Sequence, residues 1–474
     1  MIRNQISDKY HWRSKPSQNT IGYRRAVDRN RIRNSTHHPL MSGYRSIHRE
    51  KIGSFPIWQA VCSPVLTKNS ASTTATTTTT RAAAAAAACW RVWLACGDGI
   101  VRGFLVVEKT LEQKDTLDAA ACNFILTHTL LDDAGTEASS SSSSQNEEEQ
   151  KEEDEKEEHE QGENQQEEVS AIGCSQVQVA RNYVGDDDSA GDLIVISSDL
   201  LGKIRIWLLS EDTDDELPEI GSSSTSISAA QEFSVENATG TCIKIMPPNV
   251  SGVGDILLAV PCLDGTIAIV ATGLTTPKYP KDPTEAGVVV ERWSKAATSI
   301  ALSGDFHPKK KSFAVGRQDG LVDIFEKSGE RCHRMIQHET PVRAVSYTPD
   351  GNLLFTSSDD GMVCMWDTSR HGAPVLVKHV VQAHTSWVLD LVSLSDSRRF
   401  VSCGMDQQLH VWSAGEMDNR ALHSFTSDEA VWTIAAHTCT PTTGSASAQT
   451  ATNFARRLIS GSENGGLHIY TLES

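Results

Sequence analysis

Two sets of side chains in this sequence have the types that carry chemistry. One is His338, Thr356 and Asp360 with Trp366; the other is His384, Ser402 and Asp406 with Trp412. An imidazole, a hydroxyl and a carboxylate are the parts of an activated nucleophile, so either set invites a catalytic reading. The same parts have a structural use. A buried carboxylate at a turn accepts from an imidazole and from nearby backbone N–H groups, and the imidazole bridges through the hydroxyl to an indole N–H. Such a network is favourable only when every member is paired. The structural use is the expectation for both sets.

The elements that would position these residues are visible as a repeat, and a missed period would mean a missed fold. Seven segments share an apolar strand, a small-residue turn and a second strand ending on a large, mostly aromatic residue: "LACGDGIVRGF" (94–104), "ISSDLLGKIRIW" (196–207), "LAVPCLDGTIAIV" (258–270), "FAVGRQDGLVDIF" (313–325), "FTSSDDGMVCMW" (355–366), "VSCGMDQQLHVW" (401–412) and "ISGSENGGLHIY" (459–470). The turn position, six residues before the last, is Asp98, Leu201, Asp264, Asp319, Asp360, Asp406 and Asn464. Alternation in "GMVCMW" and "QLHVW" has the period of two that sends side chains to opposite faces of a sheet. Leu201 and Asn464 depart from the pattern, and their blades are expected to rely on packing and turn geometry instead.

Here the sequence resembles the WD-repeat family over about residues 43–474, apart from inserts. The shorter gaps between turns, 41 and 46 residues, match the roughly 40–45 residues of one WD-repeat blade. In that family the His, Ser/Thr, Asp and Trp places fall on His338, Thr356, Asp360 and Trp366, and again on His384, Ser402, Asp406 and Trp412. The fold expected is all-β, a seven-bladed propeller. The seventh repeat reaches its third strand at Tyr470 and stops at Ser474, so an outer strand must come from elsewhere or an open edge remains. "YRSIHRE" (44–50) is the candidate that closes the ring.

The starts of the inner strands read "FPIWQAV" (55–61), "TPVRAVSY" (340–347), "TSWVLDLV" (385–392) and "EAVWTIAA" (429–436). They place Trp58, Arg343, Trp387 and Trp432 at equivalent positions near one rim, around the mouth of the channel. An indole there either packs between blades or faces a partner. Trp and Arg most often dominate protein–protein binding energy, so these four are the partner-binding candidates.

The same stretches, together with "GRQDGLVDIF" and "AHTSWVLDLVSLSDSRRFVSCGMDQQLHVW", look like the WD-repeat subunits of the superkiller complex, most closely over 312–436. That resemblance implies a non-catalytic scaffold that binds a tetratricopeptide-repeat protein. With an RNA helicase, that assembly feeds messenger RNA to the exosome for 3′-to-5′ decay. In animals and plants it also implies a place in the Paf complex of elongating RNA polymerase, and hence both cytoplasm and nucleus. Another WD-repeat adaptor, such as a ubiquitin-ligase substrate receptor, stays open because fold does not settle function.

Composition narrows the setting. Hydrophobic residues make up 39% of 474, somewhat low for a wholly globular chain. Residues 1–42 hold nine Lys/Arg against two Asp, a basic tail that reads as a transit peptide, a basic arm or a segment without an address. Low-complexity inserts fall at about 63–89 and 132–168, and within the second, residues 147–168 carry thirteen acids against two lysines. Away from the tail the formal charge is −18 − 7 = −25, which argues against phosphate binding and for a protein partner. Eleven scattered cysteines without a C-x-x-C pair fit buried thiols in a reducing compartment, and no zinc site, disulfide or cofactor is assigned. The absence of a long apolar run predicts a chain that does not span a membrane.

Overall fold

In the computed structural model, the described residues are 44–64, 89–108, 122–131, 174–181, 193–209, 225–247, 255–275, 285–293, 299–326, 331–370, 372–380, 382–415, 420–437 and 456–472. The basic tail of 1–42 and nearly all of the two low-complexity inserts lie outside them. The strands Ile57–Pro64 and Cys89–Cys96 set the first insert's described borders.

These residues form seven sheets, antiparallel except for one strand pair in the first, arranged as a seven-bladed β-propeller. The innermost strands, from first to seventh blade, are Ile57–Pro64, Cys174–Arg181, Lys244–Ile245, Ala301–Phe306, Val342–Tyr347, Val388–Ser393 and Val431–His437. Each packs against the inner strands on either side, and the first packs on the seventh, so the ring closes. Second strands such as Leu193–Asp199 are buried along their whole length because a neighbouring blade covers each face. The outer strand Val375–Val380 alternates instead, with Val375 and Val377 exposed and Lys378 and Val380 buried. The residues that end the seven repeats, Phe104, Trp207, Val270, Phe325, Trp366, Trp412 and Tyr470, are all buried.

Closure is made by the strand Tyr44–Lys51, which pairs antiparallel with Gly466–Leu472, Tyr44 opposite Leu472 and Lys51 opposite Gly466. An ion pair between Arg49 and Asp428 adds to that seam. The seventh blade therefore contains both ends of the propeller, as the missing fourth strand required.

The turn joining second and third strands is the same in all seven blades. A residue with positive φ sits just after the expected position: Gly99 (85°), Gly202 (79°), Gly265 (78°), Gly320 (84°), Gly361 (76°), Gln407 (65°) and Gly465 (78°). Its N–H donates to the carbonyl three residues back, as from Gly361 to Ser358 at 3.2 Å. Only glycine adopts this backbone without steric cost, and Gln407 is the exception among the seven. At Gly361 a Cβ would also stand 2.7 Å from the His384 carbonyl oxygen.

The turn carboxylate has a consistent task. Asp360 Oδ1 accepts from Met362 N at 2.8 Å, and Asp98, Asp264, Asp319 and Asp406 accept from the N–H two residues on. The second blade, expected to do without one, is corrected here: Asp199 reaches in from two residues earlier and accepts from Leu201 N at 2.9 Å and Lys203 N at 3.0 Å. In the seventh blade Gly466 N donates to Ser462 Oγ at 2.8 Å, and that hydroxyl is held by Glu429.

Buried ion pairs mark two blades. Asp199 and Arg205 in the second and Arg317 and Asp323 in the fourth occupy the same two places, six residues apart, with the signs exchanged. Arg317 Nε stands 2.7 Å from Asp323 Oδ2 with both side chains fully buried, and Arg334 Nε lies 2.7 Å from the other oxygen. Burial alone would raise the Asp323 carboxyl, yet the two guanidinium groups hold it below its ordinary value. Removing one member would strand a buried charge, the expensive case.

One strand has no counterpart in the sequence reading. Thr225–Ser228, from the connection inside the second blade, runs parallel to the outer strand of the first blade, Cys122–Leu131, and pairs with its His128–Leu131 half. The first sheet is therefore five-stranded, and half of its outer edge is covered.

Candidate functional site

The seven inner strands present one face to a central channel of about 470 Å³. An inner strand pairs with a sheet neighbour on one side only, so its other edge would leave N–H and C=O groups without partners. Side chains from adjacent blades supply them at every junction. Gln59 Oε1 accepts from Val177 N (2.7 Å), Ser175 Oγ donates to Gly240 O (2.5 Å), and Thr241 Oγ1 donates to Ala301 O (2.8 Å). Asp305 Oδ2 then accepts from Tyr347 N (2.8 Å), and Ser393 Oγ donates to Tyr347 O (2.6 Å). Asp390 Oδ2 accepts from Ile434 N (2.8 Å), and Ala60 N donates to Thr433 Oγ1 (3.2 Å), which returns the ring to the first blade.

This arrangement decides what the channel carboxylates do. Asp305 and Asp390 are the acids on the inner strands of the fourth and sixth blades, and burial raises both above the usual carboxylate range although backbone N–H groups and Lys244 pull the other way. One oxygen of each accepts from a backbone N–H of the next blade. Both tie neighbouring blades together through those bonds.

The four partner-binding candidates come from four consecutive blades, the fifth, sixth, seventh and first. Trp58, Arg343 and Trp432 line the mouth of the channel, with Trp387 beside Arg343. They meet as two pairs. Trp58 and Trp432 pack edge to face with ring centroids 4.8 Å apart, and the Arg343 guanidinium lies 5.7 Å from the Trp387 ring centroid. All four are half-buried, so each indole has one side in the protein and another toward solvent. Position along the strand gave these residues; their pairing needed the ring.

Sequence reasoning missed Asp359. It takes Arg343 Nε at 2.8 Å and a terminal nitrogen at 2.7 Å, a bidentate grip that fixes the guanidinium against Trp387. Acids outnumber bases around the mouth: Glu236, Asp264, Asp319, Glu339, Asp428 and Glu463 are exposed in the turns and loops of that face, with Arg49 paired to Asp428 and Lys51 nearby. The site is thus an aromatic centre inside an anionic border.

Both His-hydroxyl-Asp sets lie just beneath this face, at identical separations of 18, 4 and 6 residues. In the fifth blade His338 Nδ1 is 2.9 Å from Asp360 Oδ2, His338 Nε2 is 2.9 Å from Thr356 Oγ1, and Trp366 Nε1 donates to Thr356 Oγ1 at 3.2 Å. In the sixth the matching distances are 2.9 Å (His384 to Asp406), 2.8 Å (His384 to Ser402) and 2.9 Å (Trp412 to Ser402). Burial would raise the Asp406 carboxyl, but His384 and the Thr385 and Gln408 N–H groups hold it low. Each hydroxyl is committed between an imidazole and an indole, which leaves it unfit as a nucleophile. Next to the sixth-blade network stands His410, whose imidazole burial pushes down to about 4.

Residues 329–367 and 376–413, which contain most of the fifth and sixth blades, match the family profile described as "WD domain, G-beta repeat". The chain therefore carries WD repeats. It is similar to the "LEC14B protein" of Lithospermum erythrorhizon, 25% identical over 142 residues, 30% of this chain and 29% of that one. It is similar to the "Target of rapamycin complex subunit wat1" of Schizosaccharomyces pombe, 24% identical over 141 residues, 27% of this chain and 45% of the other. It is also similar to the "Antiviral protein SKI8" of Saccharomyces cerevisiae, 29% identical over 138 residues, 25% of this chain and 34% of that one. The chain thus spans less than half the length of each of these relatives.

Proposed function

We propose that this chain is a non-catalytic WD-repeat subunit of a superkiller-type assembly. It binds a tetratricopeptide-repeat scaffold and, through it, an RNA helicase, in support of exosome-mediated 3′-to-5′ messenger RNA decay in the cytoplasm. A second role in a Paf-type transcription-elongation complex would place it in the nucleus as well. The observation that carries the reading is the channel mouth, where Trp58, Trp432, Trp387 and Arg343 form two ring contacts on four consecutive blades. Large, preorganised aromatic and guanidinium groups at the centre of a surface, bordered by polar residues, are the composition of a binding hot spot. The likeness to the "Antiviral protein SKI8" supports the choice of assembly.

The anionic border favours a partner segment that sets a cationic side chain beside an apolar anchor, and it disfavours direct contact with RNA phosphates. Co-purification of the tagged full chain tests the assembly: the helicase and repeat scaffold should be recovered, whereas a cullin–adaptor pair in their place overturns it. Trp387→Ala tests the surface. It should weaken scaffold binding by about 2 kcal/mol, roughly thirty-fold in Kd, with the melting temperature nearly unmoved. A large loss of stability with binding retained would instead make Trp387 a packing residue.

A further inference from the structure

Below the rim of the sixth blade, His384, Asp406 and His410 form the one cluster of metal-ligating types found among the described residues, a ligand atom of each lying within 4.8 Å of the others. Both imidazoles are oriented through one nitrogen: His384 Nε2 lies 2.8 Å from Ser402 Oγ, and His410 Nδ1 lies 2.8 Å from Ser424 Oγ. Histidines that bind metals are fixed in this way, with the tautomer and ring angle set by a partner on the second nitrogen. The other nitrogens are His384 Nδ1, whose proton now goes to the Asp406 carboxylate 2.9 Å away and would be displaced to solvent by an incoming cation, and His410 Nε2. The two rings stand 4.6 Å apart between centroids.

We propose that His384, Asp406 and His410 form a site for a divalent transition-metal ion of the zinc type, with two imidazoles and one carboxylate as ligands. This donor set suits zinc, nickel or copper and not magnesium or calcium, which take oxygen ligands. Ligand atoms of a tetrahedral ion, each ~2.0–2.1 Å from the metal, stand about 3.3 Å from one another. His410 and the Asp406 turn must therefore draw together by about 1.5 Å at most from the 4.8 Å observed. His410 is half-buried and gives an ion a way in from the rim, while His384 and the Asp406 side chain, at 0% and 5% exposure, form the buried back of the site. No other blade repeats the set. The fifth has the same His and Asp, but Cys364 stands where the sixth has His410, and in the seventh His468 follows Asn464.

Occupancy would also reach the mouth. Asp406 Oδ2 accepts from Thr385 N at 2.9 Å, and Met405 N donates to the Trp387 carbonyl at 3.0 Å. An ion that recruits the carboxylate therefore acts on the short segment that carries Trp387. The metal site itself does not depend on the partner reading.

Isothermal titration of the tag-free full chain with zinc chloride at neutral pH, repeated on His410→Ala and His468→Ala, tests the proposal. The expected result is a site in the wild type whose affinity falls at least about ten-fold in His410→Ala and is unchanged in His468→Ala. Because the chain has 16 histidines, the difference between variants, not total binding, is the readout. If His410→Ala fails to fold, His410→Gln takes its place, with its melting curve in chelator required to match the wild type. Equal binding in the wild type and the His410 variant, or none in the wild type at millimolar zinc, overturns the site.

Discussion

Ser402→Ala is the sharpest test of how the sixth blade is held. The hydroxyl serves two buried groups at once: His384 Nε2 at 2.8 Å and the Trp412 indole N–H at 2.9 Å. His384 and Trp412 are both buried, at 3% exposure each, so water cannot replace what is removed. Each stranded polar group costs roughly 1–3 kcal/mol, which puts the substitution at about 2–6 kcal/mol, and about 3 kcal/mol is expected because His384 keeps its Asp406 bond. Ser424→Ala is the matched control. It removes the same hydroxyl from another histidine, His410, but at an exposed position, and should cost no more than about 0.5 kcal/mol. Equilibrium unfolding in urea, followed by tryptophan fluorescence, gives both values, provided the slope is unchanged between variants. If Ser402→Ala and Ser424→Ala fall within about 0.5 kcal/mol of each other, the network contributes little and packing alone holds the blade.

Deleting 44–51 should leave the edge of Gly466–Leu472 open, seen as a lower melting temperature and as concentration-dependent light scattering; an unchanged melt would refute the closure. Gln407→Gly should stabilise the protein by up to about 1 kcal/mol, because Gln407 alone among the turn residues bears a side chain at φ 65°, and a loss in urea midpoint would count against that account. Acid should destabilise the fold through its histidines. Burial pushes His128, His410 and His468 down to about 4, so the unfolded chain takes up protons first. Their contribution is complete above about pH 6.5 and is lost as pH falls toward 4. Asp305 and Asp390, shifted upward, oppose this, so the clean readout is His468→Gln, whose stability should fall less steeply with acid than that of the wild type.

The blades and their closure were legible because the turn signal and the two-residue alternation are local. Asp98, Asp264, Asp319, Asp360 and Asp406 all lie where the pattern put them. The second blade misled because its carboxylate, Asp199, stands two residues before the aligned position, yet the chain still brings it to the same N–H groups. Thr225–Ser228 was illegible for another reason: a four-residue strand beside a serine run carries no periodicity, and its partner lies in another blade. At the mouth, residue type and strand position pointed to Trp58, Arg343, Trp387 and Trp432. Contact between Trp58 and Trp432 is a property of ring closure, which no window of sequence contains. The stitching between inner strands was hidden likewise, since Ala60 and Thr433 are 373 residues apart.

The seam between Tyr44–Lys51 and Gly466–Leu472 also orders events in time. During synthesis the first of these strands is made more than 400 residues before the strand it pairs with. Until then the ring is a row of finished blades with an unmatched edge at each end, the kind of species that aggregates or waits on a chaperone. Contacts between segments more than 400 residues apart are of the kind that slows folding. A chain cut short before Gly466 would lack the strand that Tyr44–Lys51 pairs with, and would keep an open edge.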